Sequence, residues 1–312
     1  MILVRLMGGL GNQMFQYAYA KHISLFNNIP LKLDVSLLGN DDKLKDRVVR
    51  NFDLDLFAIQ EKETFATLKD IEKFNGKTSP SVIDRVIFKL KKLYQKDRLL
   101  LQEGNKQKEH YLNLKTKSLC VVGRWQSESF FSDNVDEIKK LFSFDKFVSN
   151  SYSLDVSEKM GSQTTIVIHV RRKDYITHPE YSKTLGGLDQ QYYRDAIDFM
   201  ETKLSMDSSK KYFFISDDIN WCKENFKDLK NVFFVEQEKD KLGFFSDLWL
   251  LSKGDHSIIS NSTFAWWGAW LGEKENSTVV APLNWTRYKE YSPDNIVPDR
   301  WVTLANNFEK LA

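Results

Sequence analysis

Hydrophobic and polar positions in residues 1–34 follow the pattern of a strand, a tight turn, a helix and a second strand. The apolar run Ile2–Met7 ends at Gly8-Gly9-Leu10-Gly11, and Ile29–Leu33 forms another apolar run that ends at Asp34. Between them, apolar and aromatic residues recur at spacings of three and four, which is typical of a helix: Phe15, Ala18, Tyr19, His22, Ile23 and Phe26. The pattern predicts a βαβ unit of a parallel sheet.

The remainder of the N-terminal half carries a weaker pattern. It predicts two helical stretches between residues 61 and 98, a strand at Leu119–Val122 and a helix at Val135–Phe142. A polar segment near residues 149–162 follows, and we place a domain boundary near residue 155. Residues 1–155 are therefore predicted to form an N-terminal Rossmann-like domain.

Strand and helix patterns alternate regularly through the second half of the chain. Strands are predicted at Thr164–Val170, Tyr212–Ile215, Val232–Val235, Ser257–Ile259 and Thr278–Ala281, with helices at 190–204, Ile219–Phe226, Leu242–Ser252 and Thr263–Leu271 between them. This alternation predicts a second parallel sheet with helices on both faces, over residues 156–312. The predicted fold class is α/β, with two Rossmann-like domains whose parallel sheets face each other across a cleft. Such folds bind ligands outside the carboxyl ends of strands, so functional side chains are expected there.

Composition removes several classes of protein. The 45 Lys and Arg residues nearly balance the 43 Asp and Glu residues, which gives no electrostatic reason to expect a nucleic-acid partner. The two cysteines, Cys120 and Cys222, are too few for a disulfide framework or a cysteine-ligated metal site. The apolar runs are shorter than the roughly 18 residues of a membrane-spanning helix, and the N-terminus lacks the pattern of a signal peptide. We therefore expect a cytoplasmic protein.

The turn after the first strand is a candidate ligand site. Gly9 and Gly11 match the first two glycines of the dinucleotide fingerprint Gly-x-Gly-x-x-Gly, but Met14 stands at the third. Glycines before a helix let a polar ligand approach backbone N–H groups, and Asn12 adds an amide suited to a sugar or a phosphate. The alternative is that the glycines serve only a tight turn.

The strongest local feature is the sequence His169-Val170-Arg171-Arg172-Lys173-Asp174, which directly follows a buried strand. Arginine offers a planar fork of donors and stays charged, so the cluster suits a diphosphate and can neutralise charge on a leaving group. Asp174 can orient one guanidinium or accept a proton. The alternative is an ion-pair network at a strand end.

Two further strand ends carry polar clusters. Asp217 and Asp218 follow a predicted strand, where they can accept hydrogen bonds from guanine or from ribose hydroxyls. The alternative is that Ser216 or Asp217 caps the next helix. The segment 260–263 places Ser260, Ser262 and Thr263 at the start of a helix, where hydroxyls and a positive helix end suit a phosphate. Capping alone needs only one of these residues.

Two weaker features have simple structural explanations. Asp53-Leu54-Asp55 has the spacing of a metal-binding Asp-x-Asp, but apolar residues alternate with the acids as in an exposed strand, so no metal site is predicted. Residues 85–98 combine an apolar helical face with lysines, which suits either a peripheral contact with an anionic membrane or a helix packed on the core. The second interpretation is the commoner one.

Four motifs together resemble those of the α-1,2-fucosyltransferases. They are Gly-Gly-Leu-Gly-Asn-Gln-Met-Phe-Gln-Tyr-Ala at 8–18, His-Val-Arg-Arg-Lys-Asp at 169–174, Ile-Ser-Asp-Asp at 215–218 and Ser-Asn-Ser-Thr-Phe-Ala-Trp-Trp-Gly-Ala-Trp-Leu at 260–271. The resemblance spans nearly the whole chain. It implies a GT-B fold, GDP-β-L-fucose as donor substrate rather than a cofactor, and metal-independent transfer with inversion to a galactoside. It further implies a bacterial cytoplasmic form without the membrane anchor of animal members, acting on O-antigen or a related surface polysaccharide.

The resemblance also implies roles for individual residues. Residues 156–312 become the donor domain, where Arg171 and Arg172 contact the diphosphate. His169, Asp217 and Asp218 lie in the region that reads guanine, and Ser262 with Thr263 holds phosphate. In the N-terminal domain, Asn12 reaches the donor from the Gly9 and Gly11 turn, and this domain contacts the acceptor, a galactose-containing oligosaccharide or a lipid-linked glycan. The catalytic base is not assigned, since Asp174 and Glu180 both compete for the role.

Two other functions are compatible with these motifs. An O-fucosyltransferase or another enzyme that uses a GDP-sugar would share the donor domain and differ in its acceptor. A sugar-nucleotide-binding protein without turnover would share the donor site, although the intact arginine pair and the two-domain length disfavour it.

Overall fold

The computed structural model describes residues 1–39, 50–75, 98–102, 114–145, 147, 149–161, 163–204, 210–236, 240–289, 292–293 and 295–310. The chain divides into two compact units, Met1–Lys146 and Phe147–Ala312. The boundary predicted near residue 155 lies inside the helix Ser151–Met160 of the second unit. Each unit contains one parallel sheet with helices, which confirms the predicted α/β class with two Rossmann-like units. Their arrangement across a cleft stays a prediction.

The first unit contains a five-stranded sheet in the order β3-β2-β1-β5-β4. Its strands are β1 (Ile2–Arg5), β2 (Leu31–Asp34), β3 (Thr64–Phe65), β4 (Arg98–Gln102) and β5 (Ser118–Val122), and its helices are α1 (Leu10–Asn27), α2 (Ile59–Lys62), α3 (Leu68–Asn75) and α4 (Val135–Leu141). The predicted βαβ unit is confirmed as β1-α1-β2. Ile2, Leu3 and Val4 are completely buried, as expected for a parallel strand that is covered on both faces.

The second unit contains a six-stranded sheet in the order β11-β10-β9-β6-β7-β8. Its strands are β6 (Thr165–Val170), β7 (Lys211–Ser216), β8 (Val232–Phe234), β9 (His256–Ile258), β10 (Val279–Pro282) and β11 (Val302–Leu304). Its helices are α5 (Ser151–Met160), α6 (Lys173–Thr177), α7 (Pro179–Thr184), α8 (Gln190–Lys203), α9 (Ile219–Asn225), α10 (Lys241–Leu251) and α11 (Thr263–Gly272). All predicted strands and helices of this half are present, with ends shifted by a few residues.

Two elements of the second unit escaped the sequence pattern. Helix α5 lies in the segment that was predicted to be a polar connection, because only Ser153, Val156 and Met160 of its residues are buried. Strand β11 follows the strand predicted to be the last one, and none of its three residues is fully buried. Short or mostly solvated elements leave little hydrophobic periodicity in a sequence.

The strand predicted around Asp53 and Asp55 is wrong. The chain forms a 3-10 helix at Leu54–Phe57, with Asp53 immediately before it. A 3-10 helix has about three residues per turn, so Leu54 and Phe57 share one face and are both buried. The alternation of apolar and acidic residues is therefore a coincidence of spacing.

Within the described residues, no helix is both long and apolar enough to cross a membrane. The predicted amphipathic helix at 85–98 lies outside the described residues except for Arg98, which begins β4. The membrane contact proposed for it stays a prediction.

Close packing of α10 against α11 depends on a glycine. A Cβ atom on Gly268 would lie 2.5 Å from the Cβ atom of Leu251, which the backbone of α10 holds in place. The helices therefore approach one another at a distance that only glycine allows.

We predict that Gly268→Ala lowers the free energy of unfolding by about 1–3 kcal/mol, because the added methyl group forces the two helices apart. Gly161→Ala is the matched control, since its new Cβ would lie 3.7 Å from the nearest atom. The control should leave stability unchanged or raise it by up to about 1 kcal/mol. Urea denaturation of both variants tests this, and equal midpoints would contradict the packing argument.

Candidate functional site

The strand order of the second sheet defines where a ligand should bind. After β6 the chain builds β7 and β8 on one side, whereas β9, β10 and β11 extend the sheet on the other side. The order therefore reverses between β6 and β9. Doubly wound sheets bind ligands at such a reversal, outside the carboxyl ends of the two strands. The segments that follow β6 and β9 are the ones that begin with Arg171 and with Ile259.

Two hydrogen bonds join these segments. The His169 Nδ1 atom lies 2.9 Å from the Ser260 Oγ atom, and the Tyr175 hydroxyl donates to the Asn261 carbonyl oxygen over 3.3 Å. Burial, together with the nearby positive charge of Arg171, lowers the pKa of His169 to about 3. His169 is therefore neutral at physiological pH, and it positions the segment after β9 rather than supplying positive charge.

Arg171 is paired with two carboxylates. Its Nη2 atom lies 2.8 Å from Asp174 Oδ1, and its Nη1 atom lies 3.2 Å from Asp217 Oδ2. Burial raises the pKa of Asp217, although Arg171 and the backbone N–H of Arg172 oppose that effect. The guanidinium side chain keeps 24% of its surface exposed, so part of it still faces solvent. Of the two predicted roles of Asp174, orienting a guanidinium is the one that the contacts display.

Arg172 is more deeply enclosed than Arg171 and has different partners. Its Nε atom donates to Asp218 Oδ2 over 3.2 Å, its Nη1 atom contacts the Glu309 carboxylate, and its guanidinium lies 4.1 Å from the centre of the Trp221 ring. The backbone N–H of Arg172 donates to Asp217 Oδ1 over 2.9 Å. The two guanidinium groups thus have different carboxylate partners, while Asp217 contacts both residues through the Arg171 side chain and the Arg172 backbone. The alternative of an ion-pair network is therefore realised at least in part.

The remaining predicted residues of the second unit lie at helix starts. Asp218 is the N-cap of α9 and accepts from the Trp221 N–H over 3.4 Å, so neither Ser216 nor Asp217, the two residues named by the capping alternative, is the cap. Ser262 is the N-cap residue of α11, but its side chain makes no capping hydrogen bond. Thr263 is the first residue of that helix. The backbone N–H groups of the first turn of α11 therefore receive no side-chain cap from Ser262.

The glycine turn of the first unit lies at the equivalent reversal, between β1 and β5. Gly8 has a φ of +76°, and a Cβ atom there would lie 2.6 Å from Asn12 Nδ2, so this position requires glycine. Gly9 is the N-cap residue of α1, and Gly11 lies within the helix. The Asn12 Oδ1 atom accepts from Gln126 Nε2 over 2.6 Å. Gly8 thus serves the turn, and the Asn12 amide is oriented by a residue that follows β5. The ligand-binding role of Gly9 and Gly11 stays a prediction.

Three residues with a place in these clusters escaped the sequence reasoning. Asp247 in α10 is half-buried, and its buried Oδ1 atom has no hydrogen-bond partner among the described residues. Desolvation, followed by the charge of Asp217, raises its pKa well above the usual value. An acid inside the apolar helix 241–251 was a signal that could have found it. Gln126 and Glu309 carry no such signal, because single polar residues after a strand or near a terminus are common.

The arrangement contains groups of the kinds that bind anions and lacks a cluster of the kind that binds metals in the part of the chain that the structure describes. Among the described residues, no group of three or more His, Cys, Asp or Glu side chains could hold a metal ion. Arg171 and the start of α11 supply positive charge and N–H donors at the same strand ends. The absence of a metal requirement stays a prediction.

Comparison with known proteins identifies relatives over the full chain. The model of the family described as "Glycosyl transferase family 11" matches residues 1–305. An alpha-1,2-colitosyltransferase of Escherichia coli is 30% identical over 97% of this chain and 98% of its own length. The O-antigen biosynthesis glycosyltransferase WbnK of Escherichia coli is 29% identical over 96% of this chain and 99% of its own length. Galactoside alpha-(1,2)-fucosyltransferase 1 of Pan troglodytes is 26% identical over 65% of this chain and 57% of its own length.

The buried neutral His169 should make stability depend on pH. A histidine in an unfolded chain has a pKa of about 6.5, so lowering the pH from 7 to 5 protonates His169 in the unfolded state but not in the folded state. This residue should therefore lower the free energy of unfolding by about 2 kcal/mol between pH 7 and pH 5.

We predict that the free energy of unfolding falls by about 2 kcal/mol more in wild type than in His169→Gln when the pH is lowered from 7 to 5. The glutamine amide of this variant can still contact Ser260. Asp217 and Asp247 oppose the trend because their pKa values are raised, but both proteins retain them. Urea denaturation at the two pH values measures the difference. Equal losses would show that His169 does not titrate in this way.

Proposed function

The chain belongs to glycosyl transferase family 11, and we propose that it transfers L-fucose from GDP-β-L-fucose, with inversion, to the 2-hydroxyl of a galactoside. The observation that carries this proposal is the position of Arg171, a partly exposed cation at the strand-order reversal of the second sheet. The α-1,2 linkage is supported by the names of two relatives, and the galactoside acceptor by the name of one of them. Membership of an O-antigen enzyme among the relatives supports a glycan acceptor.

Departure of GDP from fucose leaves negative charge on the diphosphate and positive charge on the sugar ring. An enzyme gains rate by stabilising charge that develops in the transition state, and a preorganised arginine does so without reorganisation. We propose that the Arg171 guanidinium binds the diphosphate in place of part of its contact with Asp174 or Asp217. Its carboxylate partners hold it in position before the donor arrives.

The start of α11 adds a second group of donors. Ser262 and Thr263 precede and begin a helix of ten residues whose first N–H groups receive no capping bond from Ser262. A positive helix end with hydroxyl groups beside it suits a phosphate oxygen. We propose that these residues and Arg171 bind the two phosphates together, with His169 fixing the segment after β9.

The first unit is proposed to contribute the Asn12 amide and the backbone of the Gly9 and Gly11 turn, together with most contacts to the acceptor. The acceptor is proposed to be a galactose-containing oligosaccharide or a lipid-linked glycan. Transfer is proposed to need no metal, since arginine supplies the positive charge. The base is left unassigned: Asp174 is engaged by Arg171, and Glu180 is exposed on α7.

A second candidate donor is favoured by one relative. The alpha-1,2-colitosyltransferase is 30% identical to this chain, and colitose is L-fucose without its 3-hydroxyl. A pocket that hydrogen-bonds a hydroxyl rejects a sugar that lacks it, whereas an apolar pocket discriminates weakly. Incubating the protein with GDP-fucose or GDP-colitose and with type 1 and type 2 disaccharides, followed by linkage analysis, decides between the donors. No transfer of either sugar would contradict the proposal.

We predict that Arg171→Ala slows sugar transfer about 30-fold to 1000-fold while the protein stays folded, because it removes a contact of roughly 2–4 kcal/mol from the transition state. Arg194→Ala is the matched control, since Arg194 pairs with Asp228 on an exposed surface of the same unit. Initial rates and melting temperatures of both variants measure the effect. Near-normal turnover of folded Arg171→Ala would show that the arginine is purely structural.

We predict that GDP binds about tenfold to over a hundredfold more tightly than ADP or UDP, because a partly enclosed carboxylate can accept hydrogen bonds from the N1–H and 2-amino groups of guanine, which adenine and uracil do not present together. Calorimetric titration of wild type, Asp217→Asn, Asp218→Asn and Asp247→Asn identifies the acid. Loss of preference in Asp217→Asn or Asp218→Asn supports their predicted role. Loss only in Asp247→Asn would transfer that role to α10, and full preference in all three would exclude carboxylates as readers.

A further inference from the structure

The segment 305–310, which we call the C-terminal segment, is bound to the loop 185–189 of the second unit. Asp189 N–H donates to the Asn307 carbonyl oxygen over 3.2 Å, and Glu309 N–H donates to the Gly187 carbonyl oxygen over 2.8 Å. Leu188 and Phe308 form an antiparallel bridge between these two contacts. The backbone on both sides of the Glu309 side chain is therefore fixed.

Arg287 fixes the same segment from another direction. Its Nη2 atom donates to the Glu309 carbonyl oxygen, its Nε atom donates to the Ser182 carbonyl oxygen over 2.6 Å, and its guanidinium lies 5.3 Å from the Phe308 ring centre. Gly186, at a φ of +68°, provides the space, since a Cβ atom there would lie 2.6 Å from Arg287 Nε. The C-terminal segment is thus held by several independent contacts, which fix the position of the Glu309 backbone.

The Glu309 carboxylate contacts Arg172 and not Arg171. The Arg172 side chain is only 11% exposed, and it lies between Asp218, the Trp221 ring and Glu309. A guanidinium whose N–H groups bind other residues of the protein holds those residues in position. Its backbone N–H binds Asp217, which in turn pairs with Arg171. A continuous set of contacts therefore leads from Glu309 to the cation at the strand-order reversal.

We infer that Glu309 is a positioning residue for sugar transfer, acting through Arg172 to hold the segment that carries Arg171. The kinetic part of this inference rests on the proposed function. Removing the Glu309 charge leaves a buried guanidinium with one carboxylate fewer, and such a group shifts toward solvent or toward its remaining partner. Either movement disturbs the Arg172 N–H contact with Asp217 and, through it, the orientation of Arg171.

The first test does not depend on activity. Hydrogen exchange followed by mass spectrometry compares wild type with Glu309→Gln, which keeps the shape of the side chain and removes its charge. Glu273→Gln is the matched control, because Glu273 pairs with Arg300 elsewhere in the same unit. We expect amides of residues 171–177 to exchange about fivefold or more faster in Glu309→Gln only. Unchanged exchange, or an equal change in the control, overturns the inference.

The second test uses a double-mutant cycle on transfer. Glu309→Gln should lower kcat about tenfold while the KM for the acceptor stays the same, and it should lower kcat no further when Arg172 is already alanine. Glu309→Asp, which keeps the charge on a shorter side chain, should give an intermediate rate. Additive losses, or a loss of melting temperature without a loss of kcat, overturn the inference. Absence of transfer by wild type would instead reject the proposed function, and the exchange experiment would still decide the role of Glu309.

Discussion

The second unit is organised by the need to balance two consecutive arginines at the carboxyl end of a buried strand. Uncompensated charge in such a place is costly, so each guanidinium requires carboxylates within hydrogen-bond distance. Asp174 from α6 and the pair Asp217 and Asp218 after β7 provide three of them, and the C-terminal segment provides a fourth. The elements that surround the arginines are therefore held there by ion pairs as well as by packing. The order of the strands determines which elements lie close enough to form these pairs.

Uniform burial explains why most of the fold could be predicted. Strands such as β6 are buried on both faces along their whole length, and continuous apolar runs of that kind stand out in a sequence. Helix α5 and strand β11 did not stand out, since each buries few side chains. The 3-10 helix after Asp53 was mistaken for a strand because it has only four residues. In so short a segment, apolar residues that repeat every three positions cannot be told from apolar residues that repeat every two.

Part of the candidate site could likewise be predicted from the sequence, and part could not. Parallel strands bring their carboxyl ends to one edge, so polar residues after β6, β7 and β9 could be grouped without a structure. Which carboxylate pairs with which arginine could not, because neighbouring positions face different partners: Asp217 contacts Arg171, whereas Asp218 contacts Arg172 and caps α9. Glu309 looks like any surface glutamate in the sequence. Its role depends on a contact across 137 positions of chain.

That separation has a consequence for how the protein is made. Arg172 leaves the ribosome long before Glu309 has been synthesised, and domains fold as units while translation proceeds. The first unit can fold early, since the residues that pair within it are all made before residue 146. The second unit lacks β11 and the fourth carboxylate until residues 302–309 have been synthesised. A nascent chain that has not reached Glu309 therefore carries an Arg172 guanidinium without one of its two carboxylate partners, and synthesis of the C-terminal segment supplies that partner.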